Sequence, residues 1–289
     1  MTNTLVTTVP NRGGDGIAYD AANNNLYSVN PAGFVYVISG NTNTVIGTIQ
    51  VGSDSYEATY DPANGNMYVA NRDSGTVSVI DGSKDAVVAT ITGVPNPVQL
   101  AYNPSDGNIY VANHNTNLVS VISGSTNSVI GTITVDNDPE GIAFDVTNHR
   151  IYVINYDSNT VSIIDSLVKR VVGTITGVPT PVTPAFDPNN GDVYVTNFGG
   201  NTASSASNTV TVIPTTTKQL IPPDTSITSP VDGNGATIQN GGCTISTSIQ
   251  IAFKGTPRLT ALPDLIVVLM AAPFQFVRVL LLLTILRRE

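Results

Sequence analysis

Most residues in this chain that could do chemistry lie in short segments that differ from one another within an otherwise repeating sequence. The segments VGSDSYEA, GVPNPVQL, VDNDPEGI and GVPTPVTP bring Asp54, Glu57, Gln99, Asp136, Asp138 and Glu140. A second set of loops adds Arg72, Asp73, His114, Asn115, Tyr156 and Asp157. Carboxylates and amide oxygens are hard donors, and a cluster of them suits a cation such as Ca²⁺. Four carboxylates around one opening also repel each other, which a bound cation or a basic partner would relieve. The structural alternative is a solvated acidic rim, and no DxDxDG-type calcium loop accompanies these residues. His114, in NHNTN, could act as a base beside Glu140 or Asp73; the plainer reading is a polar loop residue. The candidate ligand-binding set is therefore Asp54, Glu57, Arg72, Gln99, His114, Asp138, Glu140 and Asp157. No residue is assigned a catalytic role, no cofactor is expected, and Ca²⁺ is the one metal considered.

Several chemistries are excluded. With two histidines and one cysteine, Cys243, the chain builds neither a His-rich metal site, a cysteine-cluster site nor an intrachain disulfide. There is no phosphate-binding glycine loop, no GxSxG elbow and no HExxH helix. A net charge of −9 argues against nucleic-acid binding, which needs a basic surface. No tryptophan is present, so an aromatic sugar platform would rest on tyrosine. No N-x-Ser/Thr sequon occurs, so N-glycosylation is not expected.

The elements that must position these residues follow from a repeat. LYSVN, MYVAN, IYVAN, IYVIN and VYVTN place Tyr27, Tyr68, Tyr110, Tyr152 and Tyr194 at separations of 41, 42, 42 and 42 residues. The preceding runs AYDAANNN, TYDPANGN, AYNPSDGN, AFDVTNHR and AFDPNNGD move in step. A period near 40–45 residues marks a propeller blade or a helical repeat. Each unit contains four short alternating or β-branched runs, such as EATY, NMYVAN, TVSVI and AVVATI, separated by turn chemistry such as DPANGN and DGSKDA. Four antiparallel strands per unit make a propeller blade. Segments joining a fourth strand to the next first strand then share one face with the loops between second and third strands, and these carry the candidate residues.

Five units are read over residues 1–218, giving an all-β propeller of five four-stranded blades. The fifth unit lacks a fourth strand, and NTLVTTV at 3–9 resembles NTVIGTI at 43–49. Residues 3–9 are therefore expected to pair with 209–213 and close the last blade, which also hides an edge. The alternative is an open five-blade arc of a seven-bladed propeller. The recurrent Asn30, Asn71, Asn113, Asn155 and Asn197, and Asp20, Asp61, Asp145 and Asp187, recur because the fold needs them: each is expected to satisfy backbone groups of the adjoining turn. His149 is read as a turn residue and Cys243 as a strand-edge residue.

These motifs, with YVTN itself at Tyr194–Asn197, resemble the YVTN β-propeller repeat proteins, including archaeal surface-layer and secreted forms. The resemblance implies a propeller, usually of seven blades, at the cell surface or secreted, with no established reaction. It points to a non-catalytic scaffold for binding, adhesion or envelope structure, whose partner is a protein or a cell-envelope polymer. The alternative is a propeller enzyme, lactonase-like or quinoprotein-like, with its site at the channel mouth. MTNTLVTTVP has neither a basic n-region nor an apolar h-region, so no signal peptide is read there, and the resemblance makes a truncated N-terminus the companion expectation.

Residues 219–257 read as a linker followed by a truncated segment that resembles the start of an immunoglobulin-like module. From Arg258 the composition changes abruptly to a leucine-rich tail ending RRE. Residues 258–289 are expected to be an out-of-frame stretch, because a shifted frame can read as a continuation of that module. The alternative is a membrane anchor over 265–286, long enough to span a bilayer but interrupted by Pro273, Gln275 and Arg278. A central Arg there costs about 2.5–3.5 kcal/mol.

Overall fold

The computed structural model describes residues 5–10, 15–198 and 209–215, and the backbone of four short strands beyond them. The chain divides into two units, 1–218 and 219–289.

The first unit is a series of antiparallel sheets, one per sequence repeat. The first holds β1 (Gly16–Asp20), β2 (Asn25–Asn30), β3 (Phe34–Ser39) and β4 (Thr44–Gln50). The second holds β5 (Ser55–Asp61), β6 (Asn66–Asn71), β7 (Thr76–Asp81) and β8 (Ala86–Thr92). The third holds β9 (Pro97–Asn103), β10 (Asn108–Asn113), β11 (Leu118–Ser123) and β12 (Ser128–Thr134). The fourth holds β13 (Pro139–Asp145), β14 (Arg150–Asn155), β15 (Thr160–Asp165) and β16 (Arg170–Thr176). The fifth has three strands, β17 (Pro181–Asp187), β18 (Asp192–Asn197) and β19 (Thr209–Pro214). Neighbours in sequence are neighbours in each sheet, so every blade is a meander.

Blades stack face to face. Tyr27, Val29, Val35 and Val37 of blade 1 pack on Ala58, Met67, Val69 and Ile80 of blade 2. Tyr68 and Val79 meet Ile109 and Val111, and Tyr110 and Val121 meet Ile151 and Val153, in the same way. Tyr152, Ile154 and Val161 then meet Val193, Val195 and Ile213. Second and third strands are therefore apolar on both faces, as strands between two sheets must be. Fourth strands are largely exposed.

Five blades give four such interfaces among the described residues, where a closed ring would have five. First strands pack in chain order, β1 on β5, β5 on β9, β9 on β13 and β13 on β17. Among the described residues the expected closure is not formed: residues 5–10 lie in no sheet, and Leu5 and Val6 are 85% and 86% exposed. Val210 and Val212, on the outward face of blade 5, are 55% and 51% exposed. Residues 5–9 have the alternation of a fourth strand, but pairing also needs a partner edge within reach. The blades thus form the open arc.

A repeated irregularity positions the mouth residues. Register with the second strand slips between Ser55 and Ala58, Pro97 and Leu100, Pro139 and Gly141, and Pro181 and Pro184. The β-bulge at the start of the first strand in blades 2 to 5 re-aims the residues within it, and these include Tyr56, Glu57, Gln99 and Glu140.

In the second unit, β20 (Val231–Asp232) pairs with β21 (Ile249–Gln250), and β22 (Val268–Ala271) pairs with β23 (Gln275–Arg278). The last two strands fall inside 265–286, so that stretch is not one continuous helix. Among the described residues, no helix is long and apolar enough to cross a membrane. Cys243 and most of 219–289 lie outside the described residues.

Candidate functional site

The repeated polar residues are occupied by the fold. Asp20, Asp61, Asn103, Asp145 and Asp187 each accept a hydrogen bond at 2.8 Å from the backbone N–H two residues on, giving the same Asx-turn in every blade. The tyrosine hydroxyls serve the same end. Tyr27 donates to Asp85 at 2.7 Å and Tyr68 to Asn127 at 2.7 Å, both in the next blade, while Tyr110 donates to Asp106 at 2.8 Å. His149 has the positive φ of a turn residue, +58°.

The asparagines ending each second strand differ from expectation. Asn30 caps its turn, accepting from the Ala32 N–H at 2.8 Å. In the other blades the amide instead donates across the sheet to hydroxyls of the third strand: Asn71 to Ser78 (2.9 Å), Asn113 to Ser120 (2.7 Å), Asn155 to Ser162 (2.9 Å) and Asn197 to Thr211 (2.8 Å). The hairpin register decides this. Asn71 faces Thr76, so Ser78, two residues on, is on the same face.

At the opposite end of the blades, the candidate residues sort into three groups. In the first, Arg72 Nε donates to Asp54 Oδ2 at 2.6 Å, and the guanidinium lies 5.5 Å from the centre of the Tyr56 ring. Asp54 is thereby committed to an ion pair within blade 2. In the second, Glu57 hydrogen-bonds to Gln99, whose Oε1 accepts from the Ile142 N–H at 2.9 Å. This run joins the first strands of blades 2, 3 and 4. Burial pushes the Glu57 carboxyl up to about 7, against a smaller lowering by Gln99.

The third group lies where blade 3 meets blade 4. His114 follows the last residue of β10, and Asp138 and Glu140 lie at the entry to β13. Asp138 N–H bonds to Thr116 O at 2.8 Å and Val135 N–H to Asn117 O at 2.9 Å, which lays the two loops side by side. His114 Nδ1 is then 2.9 Å from Asp138 Oδ1 and 2.8 Å from Glu140 Oε1. Asp138 is buried, has φ of +59°, and accepts from the Asn115 N–H at 2.7 Å. Burial raises the Glu140 carboxyl above its ordinary value; His114 and Arg72 pull it down, and Asp138 pushes it up.

The expected grouping of Asp54, Glu57, Asp138 and Glu140 around one point is therefore corrected: Asp54 is taken by Arg72 and Glu57 by Gln99, and only Asp138 and Glu140 converge, with His114 between them. Asp73 is exposed and is not the carboxylate beside His114. Asp136 accepts from Thr160 Oγ1 at 2.7 Å, a link between loop and strand. Asp157 is exposed and lines a shallow groove of about 380 Å³ with Asn115, Thr116, Asn117, Asn137 and Asp138. Tyr56 was not among the sequence candidates. Its hydroxyl is pushed up by burial and by the Glu140 charge, which places it in the electrostatics of the mouth. Its signal was positional: in the repeat it corresponds to Asp15, Val98, Glu140 and Val182, a position that changes in chemistry from blade to blade.

No protein-family profile matches the chain, and no curated protein matches it. Among solved structures it is similar to hydrazine synthase of Kuenenia stuttgartiensis, with a TM-score of 0.64 at 22% sequence identity. That likeness covers 75% of this chain and 66% of the other. At this identity the shared property is the fold.

Proposed function

We propose that the chain is a non-catalytic binding scaffold of the YVTN-repeat kind, working at the cell surface or in secreted form, whose partner docks on the mouth side of the blade arc. The carrying observation is the division of polar residues. Those recurring in every blade are consumed by turns and strand-to-strand bonds, whereas the ones that vary, Arg72, His114, Tyr156 and Asp157 among them, share one rim. Specificity in a repeat protein belongs in such variable loops on a rigid scaffold. An acidic, sparsely charged chain suits a protein or a cell-envelope polymer and not a nucleic acid.

Cosedimentation with isolated cell envelopes tests this. The unmodified chain is expected to pellet with envelopes, and the variant R72A/Y156A/D157N to stay in the supernatant at an unchanged melting temperature. Equal pelleting of the two overturns the rim assignment. Lactone hydrolysis or alcohol oxidation that disappears in E140Q replaces the scaffold with the enzyme reading.

A further inference from the structure

We propose that His114, Asp138 and Glu140 form a binding site for one divalent transition-metal ion of the Zn²⁺ class. This is independent of the surface-scaffold reading and replaces Ca²⁺ as the expected metal.

Three observations carry it. The first is convergence. One ligand atom from each residue lies within 4.8 Å of the other two, with the imidazole nitrogen 2.8 and 2.9 Å from the carboxylate oxygens. A metal with bonds of roughly 2.0–2.2 Å to N and O donors holds its ligand atoms at separations of this order. The second is an orphaned atom. His114 Nδ1 is buried, yet forms no hydrogen bond of acceptable geometry, although two carboxylate oxygens stand within 3 Å. With the proton on Nε2, Nδ1 presents a lone pair to two anionic oxygens, and a metal ion between them turns that contact from repulsive to attractive, the role a proton on Nδ1 takes when the site holds no metal. The third is orientation. The Asn115 N–H bonds at 2.7 Å to Asp138 Oδ1, the same oxygen that faces His114, so a backbone donor holds the ligand atom in place.

The donor set chooses the metal. Ca²⁺ takes six to eight oxygens, and this site offers two carboxylates and a nitrogen. Imidazole with carboxylates suits Zn²⁺ and its first-row neighbours. Two negative charges match a divalent ion, since Arg72 is already paired with Asp54. Three protein ligands leave a coordination position for water or for an oxygen of a partner, which marks a binding site and not a closed structural one.

The test is isothermal titration of the chelator-treated full chain with ZnCl₂ and, separately, CaCl₂, with melting curves in parallel. One Zn²⁺ per chain, a raised melting temperature and no comparable Ca²⁺ binding are expected. H114A and E140Q should each lose the Zn²⁺ heat and the thermal shift while melting normally without metal. If E140Q does not fold, H114N serves as the second variant, with the same loss expected. Absence of Zn²⁺ binding by the unmodified chain, undiminished binding by the His114 variants, or Ca²⁺ binding as tight as Zn²⁺ would each overturn the site.

Discussion

The two ends of each blade are built from similar residue types and put to opposite uses. At the first-hairpin end, Asp or Asn opens the turn in all five blades and bonds the equivalent backbone N–H at the same distance. In blades 1 to 4 the tyrosine above it is buried between sheets. At the mouth end, Asp54, Asp138 and Glu140 hold similar groups with different partners: a guanidinium, a backbone N–H and an imidazole. A carboxylate whose partner is backbone is reproduced wherever the turn recurs. A carboxylate whose partner is a side chain depends on what each blade happens to carry. Chemical individuality is thus confined to the mouth, where a β-bulge already frees the first strand from its ladder.

The largest expected effect lies at the first-hairpin end. Tyr110 is fully buried between blades 3 and 4 and donates to Asp106. Tyr110→Ala should cost about 3–5 kcal/mol in denaturant unfolding, because neighbouring sheets cannot collapse into the space. A loss below about 1 kcal/mol would break the contrast.

An intermediate effect is expected at Glu57 and depends on pH. Its carboxyl ordinarily titrates near 4.5 and is raised to about 7 by burial. The folded chain therefore holds this proton more tightly than the unfolded chain. The group's contribution is complete below pH 4.5 and is lost as pH rises towards 7, after which it is flat. Glu57→Gln removes that loss while keeping a partner for Gln99. It should stabilise the chain above pH 7 by on the order of 2 kcal/mol and leave stability near pH 4 unchanged. A variant and parent that run parallel from pH 4 to pH 8 would show that Glu57 is solvated.

The smallest effect is expected at the rim. Asp157 is exposed, and Asp157→Asn should change stability by less than about 0.5 kcal/mol. A larger change in melting would mean that the rim loops contribute to the fold, and the division between the two ends would blur.

Blade number, strand number and the structural role of the recurrent Asp were legible from the period. A repeat prints the same local physics five times, and five copies of Tyr with turn residues at one spacing admit few architectures. The asparagines were only half legible. Their recurrence marked them as structural, but whether the amide meets a turn or a third-strand hydroxyl depends on hairpin register, as Asn71 and Ser78 show. Ring closure was not legible, because NTLVTTV carries the alternation of a fourth strand and alternation says nothing about whether an edge is within reach.

By itself, then, the sequence determined the blades, their turns and the loops on which variable chemistry would lie, since these follow from residue types within one 42-residue period. Tertiary structure alone decided which loop residues meet. Asp54 and Asp138 occupy the same place in the first and third linkers, both with positive φ. Asp54 meets Arg72 of the blade that follows its linker and Asp138 meets His114 of the blade that precedes it, because each linker is hydrogen-bonded to the loops of both neighbouring blades and takes whichever side chain stands within reach. The open arc was decided there too, since closure depends on where blade 5 lies relative to blade 1, a distance summed over four interfaces that no single repeat encodes.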